Sequence, residues 1–102
     1  MERSKRLLEA CGLGPEQGII IHRPSNVFYL SGYTGEGLLL LSRNLSAIVT
    51  DFRYVEQAGR QAPGFSVHQV SNAVGHAQLA ASLVHGAGIR EVLYEDDFVT
   101  VR

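Results

Sequence analysis

The sequence is 102 residues long, 45% hydrophobic and 19% charged, proportions typical of one globular domain and not of a disordered chain. A formal net charge of −1 gives no electrostatic basis for binding nucleic acid or an anionic membrane. The single cysteine, Cys11, excludes an internal disulfide. The longest apolar run, Leu38 to Leu41, is far too short to span a membrane. We therefore expect a soluble, cytoplasmic protein.

Helix and strand signals alternate from the N-terminus. Apolar residues on one helical face predict a helix over residues 2–11, ended by Gly12 or Gly14. The β-branched run at 18–21 predicts a buried strand. A proline-led turn then predicts a short helix that ends at Gly32.

Two strand-like runs, 38–41 and 47–50, follow on either side of a tight turn at Ser42-Arg43-Asn44. This pattern predicts an antiparallel hairpin. Apolar residues then recur at helical spacing from Phe52 to Ala62, which predicts a helix with Phe52 on its buried face and Asp51 as its N-cap.

The last part of the chain continues the alternation. It predicts a half-exposed strand over 65–70, a helix capped by Asn72 and ended by glycine, a strand over 92–94, and a further helix opened by Asp96 or Asp97. Strands alternating with helices indicate an α/β fold with three α-β-α layers. We expect a mixed, mostly parallel sheet of about five strands. Because the chain stops just after the last helix signal, we expect a single domain over 1–102 that is truncated at its C-terminus.

The sequence offers no complete catalytic or metal site. No two of its histidines have the i, i+4 spacing that chelates a metal on one helical face: His22, His68, His76 and His85. Helix capping explains the acidic cluster at 95–97, and Cys11 is expected to be a small core residue. The motif G-Y-T-G-E-G at 32–37 superficially suggests a phosphate loop, but it lies between a helix and a strand and lacks a Walker lysine. A closely packed or mobile turn is the better interpretation.

Two stretches of the chain nevertheless carry a distinctive pattern. Residues 26–35 read N-V-F-Y-L-S-G-Y-T-G, and residues 50–58 read T-D-F-R-Y-V-E-Q-A. Read together, they resemble the N-x-x-Y-L-[ST]-G-[FY] and T-D-x-R-Y-x-x-Q-A segments of the creatinase/prolidase N-terminal domain. The hairpin between them, P-G-F at 63–65 and V-L-Y-E at 92–95 continue the resemblance.

This resemblance implies the non-catalytic N-terminal domain of an Xaa-Pro peptidase of the aminopeptidase P or prolidase type. It implies that the catalytic domain, absent from this chain, holds two divalent metal ions (Mn, Co or Zn) and cleaves a proline-containing peptide. It also implies that the N-terminal domain supports a homodimer and places a loop at the rim of the neighbouring subunit's pocket. The alternatives are a creatinase-like amidinohydrolase and a free-standing, non-enzymatic dimerisation or binding module.

The resemblance assigns structural roles to five residues. It implies that Asn26 and Tyr29 fix the short helix against the sheet. It implies that Asp51, Arg53 and Tyr54 form a cap and a polar network where the strand turns into the next helix.

The loop after Gly32 carries the functional hypothesis. The resemblance implies that Tyr33, Thr34 and Glu36 contact substrate across a dimer. A turn that touches no substrate is the alternative, because loops vary most between relatives. Because relatives with prolidase-like specificity often carry a longer, more charged segment here, the resemblance leaves the specificity open and leans slightly toward a parent of the aminopeptidase P type.

Overall fold

The computed structural model describes residues 2–70 and 75–94. Its elements are α1 (Glu2–Ala10), β1 (Gln17–Ile21), α2 (Pro24–Ser31), β2 (Leu38–Ser42), β3 (Leu45–Thr50), α3 (Val55–Gln61), β4 (Ser66–Gln69), α4 (His76–Gly86) and β5 (Glu91–Tyr94). They follow the predicted order. The helix starts predicted at Asn72 and at Asp96 or Asp97 lie outside the described residues. Of the two glycines predicted to end α1, Gly12 takes the left-handed conformation, with φ +67°.

The five strands form one mixed sheet in the order β4-β3-β2-β1-β5. Strand β2 runs antiparallel to β1 and β3, whereas β3–β4 and β1–β5 are parallel. The α/β class and the mixed, mostly parallel sheet of five strands are confirmed: among the described strands four run in one direction, and β2 runs against them. The cause is the connection through α2: Ile21 at the end of β1 pairs with Leu39 near the start of β2, so the chain re-enters the sheet at the end that it left.

Helices cover both faces of the sheet, which confirms the three-layer arrangement. On one face α1, α2 and α3 pack over strand residues that alternate with the pleat: Ile19, Ile21, Leu39, Leu41 and Ile48. On the other face α4 flanks a groove lined by residues of α4 and of the strands, among them Ala80, Val84, Ile20, Leu38 and Val92. The core therefore lies mainly between the sheet and the first three helices.

The entry into α3 differs from the prediction. Asp51 does not cap the helix: its Oδ1 accepts the N–H of Arg53 at 2.9 Å within a turn, and the helix begins only at Val55. The prediction that Phe52 lies on the buried face is wrong, since its side chain is 73% exposed. Phe52 lies in the turn before the helix, which begins at Val55. Its spacing from the buried Ala58 therefore does not place the two side chains on the same helical face.

Replacing a side chain by alanine should have a large effect on stability in the buried core and a small effect in the exposed turn. Leu41→Ala removes a side chain that is 0% exposed and leaves a cavity between the sheet and the helices, so it should lower the free energy of unfolding by about 2–5 kcal/mol. Phe52→Ala is the control and should change it by less than about 0.5 kcal/mol. Urea denaturation of the 102-residue chain measures both. Equal losses in the two variants would contradict this assignment of the core.

Candidate functional site

The glycine-rich loop, residues 32–37, joins α2 to β2 and is shaped by close contacts. Gly32 ends α2 with φ +85°, and its N–H donates to the carbonyl of Phe28 at 2.8 Å. Gly37 has φ +140°, and a Cβ there would overlap the carbonyl oxygen of Val49. A Cβ on Gly35 would lie 2.5 Å from the hydroxyl oxygen of Tyr33. These glycines serve close packing against β3 and the Tyr33 ring, as the closely packed turn interpretation predicts.

Tyr33 holds the loop from inside. Its side chain is 1% exposed, and its Oη lies 2.6 Å from the carbonyl oxygen of Glu36 and 2.9 Å from Oγ1 of Thr50. Thr50 Oγ1 itself donates to the same carbonyl at 2.6 Å. Burial raises the pKa of the Tyr33 hydroxyl, against a smaller opposing effect of the Thr50 hydrogen bond. Any effect of Tyr33 on a substrate would therefore pass through the loop that it holds.

Thr34 lies on the exposed side of the same loop and is bonded to α3. Its backbone N–H donates to Oε1 of Gln61 at 2.9 Å, and Nε2 of Gln57 donates to its Oγ1 at 2.9 Å. Neither glutamine was among the site residues predicted from the sequence. A usable signal was present, because Gln57 and Gln61 are four residues apart and so share one face of a helix. Their meeting with Thr34 depends on tertiary structure.

A second exposed residue of the loop, Glu36, joins a charged cluster at the strand-to-helix corner. Arg53 donates from Nη2 to Asp51 Oδ2 at 2.8 Å and approaches Glu36 Oε2 at 3.5 Å. Its guanidinium lies over the Tyr54 ring, 5.2 Å from the centroid. The hydrogen bond that Arg53 donates to Asp51, more than the charge of Asp51, raises the pKa of Arg53. The structure thus brings Asp51, Arg53 and Tyr54 together beside the loop.

The remaining two residues of the predicted set lie in α2, away from the loop's exposed face. Asn26 is buried, with 2% of its surface exposed. Tyr29 is half-buried, and the guanidinium of Arg3 lies 4.6 Å from its ring centroid. Arg3 also donates to the Tyr29 carbonyl at 2.9 Å. Tyr29 thereby ties α2 to α1 as well as packing against the core.

Neither a metal centre nor a membrane helix is found in the part of the chain that the structure describes. Over residues 2–70 and 75–94, the His, Cys, Asp and Glu side chains form no group of three or more able to hold a metal ion. No helix in those residues has the length and apolar character needed to cross a membrane. The glycine-rich loop and its neighbours in α3 are the candidate site, because they hold the exposed residues Thr34 and Glu36 that the family resemblance selected.

Residues 3–102 match the family model described as the Creatinase/Prolidase N-terminal domain. The chain belongs to this family. It is 33% identical over 98% of its length to an uncharacterised peptidase, YqhT, of Bacillus subtilis (strain 168). Among solved structures it is similar to an Xaa-Pro dipeptidase from Bacillus anthracis, with 32% identity over 97% of the chain and a TM-score of 0.78. The resemblance drawn from the two motifs is confirmed.

This creatinase/prolidase N-terminal domain accounts for only part of its relatives. It spans 27% of the length of the Bacillus subtilis peptidase and 27% of the Bacillus anthracis dipeptidase. It spans 75% of a solved chain described as the N-terminal domain of the cytoplasmic peptidase PepQ from Mycobacterium tuberculosis H37Rv, with 33% identity, 98% of this chain covered and a TM-score of 0.71. The similarity therefore lies in the N-terminal domain.

The packing of Gly37 against β3 gives a test of the loop in this domain. Gly37→Ala should lower the free energy of unfolding by at least about 1–3 kcal/mol, because its φ is left-handed and its Cβ would meet the Val49 carbonyl. Gly59→Ala is the control: no atom lies within 4 Å of its added Cβ, and it sits in α3, so it should stabilise by up to about 1 kcal/mol. Thermal and urea denaturation report both changes. Two stabilised variants would contradict the close approach.

The burial of the Tyr33 hydroxyl gives a prediction for alkaline pH. Since the folded-state pKa is raised above the unfolded value of about 10, the unfolded chain loses this proton first. The stability that Tyr33 contributes is then full below about pH 10 and falls as pH rises through the folded pKa. Urea denaturation at pH 8 and pH 11 should show a smaller alkaline loss in Tyr33→Phe than in the wild type. Equal losses would place the hydroxyl in water.

Proposed function

We propose that this chain is a single, non-catalytic N-terminal domain, residues 1–102, of a longer Xaa-Pro peptidase of the aminopeptidase P or prolidase type. The observation that carries the proposal is the similarity to an Xaa-Pro dipeptidase over 97% of this chain but only 27% of that protein. Hydrolysis then belongs to the remaining part of the longer chain. A cytoplasmic location is supported by the relative named a cytoplasmic peptidase.

Two divalent metal ions (Mn, Co or Zn) belong, in this proposal, to the catalytic domain. The described residues of the N-terminal domain do not fit them, since no suitable group of His, Cys, Asp or Glu side chains lies there. No step of the hydrolysis is therefore assigned to this domain. In this proposal the N-terminal domain shapes the rim of the substrate pocket and helps to select the substrate.

The N-terminal domain makes two contributions in this proposal: it supports a homodimer, and it places the glycine-rich loop at the rim of the partner's substrate pocket. The exposure of Thr34 and of Glu36, whose side chain is 73% exposed, supports direct contact by these two residues. Tyr33 contributes by holding the loop in one conformation. The peptide substrate then passes a rigid edge before it reaches the catalytic centre.

The full reading frame that contains these residues tests the proposal. With Mn²⁺ or Co²⁺ the full-length protein should hydrolyse Xaa-Pro dipeptides or Xaa-Pro-Yaa tripeptides with turnover of about 1–10³ s⁻¹, and EDTA should abolish it because bound metal activates the attacking water. The 102-residue chain is the matched control and should show no turnover. Sedimentation of the full-length protein should give a dimer.

Three outcomes would contradict the proposal. Hydrolysis of creatine without hydrolysis of Xaa-Pro peptides would favour the amidinohydrolase alternative. A reading frame that ends with this domain would favour the free-standing module. Turnover by the 102-residue chain alone would place catalysis in a domain to which none is assigned.

A further inference from the structure

The exposed contact between the glycine-rich loop and α3 is built from three neutral polar side chains, which we call the amide–hydroxyl cluster: Thr34, Gln57 and Gln61. Gln57 Nε2 donates to Thr34 Oγ1 at 2.9 Å and to Gln61 Oε1 at 3.2 Å. Gln61 Nε2 donates to Thr34 Oγ1 at 3.1 Å, and the Thr34 N–H donates to Gln61 Oε1 at 2.9 Å. The three side chains therefore form a closed ring that fixes Thr34 against the helix.

The ring uses the full accepting capacity of two of its oxygen atoms. A hydroxyl oxygen and an amide carbonyl oxygen each accept two hydrogen bonds. Thr34 Oγ1 accepts from both glutamines, and Gln61 Oε1 accepts from Gln57 and from the Thr34 backbone. Within the described residues, the Thr34 hydroxyl also donates to Gln61 Oε1, at 3.2 Å, so three donors meet an oxygen that accepts two hydrogen bonds. The hydroxyl is the donor that rotates freely, so its hydrogen can turn from Gln61 to an acceptor on a ligand.

Gln57 supplies the complementary group. Its Nε2 is used within the cluster, whereas no hydrogen bond to its Oε1 is found within the described part of the chain. The cluster therefore presents one donor, the Thr34 hydroxyl, beside one acceptor, the Gln57 carbonyl. A peptide unit offers the matching pair, a C=O that accepts and an N–H that donates.

We infer that the amide–hydroxyl cluster recognises the main chain of a peptide substrate, with Thr34 and Gln57 making the contacts and Gln61 positioning Thr34. The inference rests on the proposed function for the identity of the ligand. Because the cluster carries no charge, it is suited to an internal peptide unit and not to a charged terminus. An Xaa-Pro dipeptide contains only the peptide bond that is cleaved and its two charged termini, so it has no further peptide unit for the cluster to bind. The cluster should therefore act on substrates that extend beyond the proline.

Kinetics of the full-length, metal-loaded peptidase test the contact. Thr34→Val removes the hydroxyl at nearly constant shape, and Gln57→Met removes the amide. Each should lower kcat/KM for an Xaa-Pro-Yaa-Yaa tetrapeptide roughly 2- to 12-fold, the range for one neutral hydrogen bond. The loss should lie mainly in KM, since a contact made equally in ground and transition states leaves kcat unchanged. Turnover of the Xaa-Pro dipeptide, or its inhibition constant if it binds without being cleaved, should change less than kcat/KM for the tetrapeptide, because the dipeptide has no peptide unit beyond the proline.

Gln69→Met is the matched control, because Gln69 is an exposed glutamine on β4 and outside the cluster. It should leave both substrates unaffected. Unchanged tetrapeptide kinetics in Thr34→Val and Gln57→Met would overturn the inference. Equal losses on the long and short substrates would also overturn it, because they indicate a general defect and not a contact with the extended part.

Hydrogen exchange in the 102-residue chain tests the positioning role of Gln61 without any substrate. Gln61→Met should speed exchange of the Thr34 amide about 2- to 12-fold, since the acceptor of its N–H is lost, while Gln69→Met should not. An unchanged Thr34 rate would overturn the positioning role. If wild-type full-length protein hydrolyses no Xaa-Pro peptide, the proposed function and the ligand named here fail together, and the exchange result still decides the role of Gln61.

Discussion

The candidate site depends on one buried set of hydrogen bonds, in which the Tyr33 and Thr50 hydroxyls meet the Glu36 carbonyl. A buried hydroxyl left without a partner would cost about 1–3 kcal/mol, so this set fixes the position of the Tyr33 ring. The ring in turn occupies the space beside Gly35 that a side chain would need. The exposed residues of the loop therefore owe their place to a buried tyrosine.

The same contact explains why two separate stretches of sequence act as one unit. Tyr33 and Thr34 come from the first motif, whereas Thr50 and Gln57 come from the second. The hairpin of β2 and β3 returns the chain to the corner where these stretches meet, because Leu38 pairs with Val49. Interior and exterior contacts are thus divided along the loop: Tyr33 bonds inward to the sheet, and Thr34 bonds outward to α3.

Much of the fold was predictable because its signals are local. The β2–β3 hairpin and the end of α2 at Gly32 need only neighbouring residues to be recognised. The direction of β2 relative to β1 was not predictable, since it depends on the sheet end to which the connection returns. Phe52 was misplaced because a turn and a helix share its apolar spacing. In the site, Thr34 and Glu36 were selected through the family resemblance, but the roles of Gln57 and the buried Tyr33 require tertiary contacts.

The size of the proposed contact limits what the loop is able to do. One donor and one acceptor contribute about 1–3 kcal/mol in total, whereas even a Kd of 1 mM requires about 4.1 kcal/mol. The amide–hydroxyl cluster alone therefore cannot capture a peptide. It acts only on a substrate whose other end is already held, where the second contact becomes intramolecular and needs no further loss of translational freedom. Ordering a flexible loop at each binding event would consume most of that small gain. A loop that is proposed to select a substrate with two hydrogen bonds has to be ordered before the substrate arrives, and the buried hydrogen bonds of Tyr33 hold this loop in one conformation.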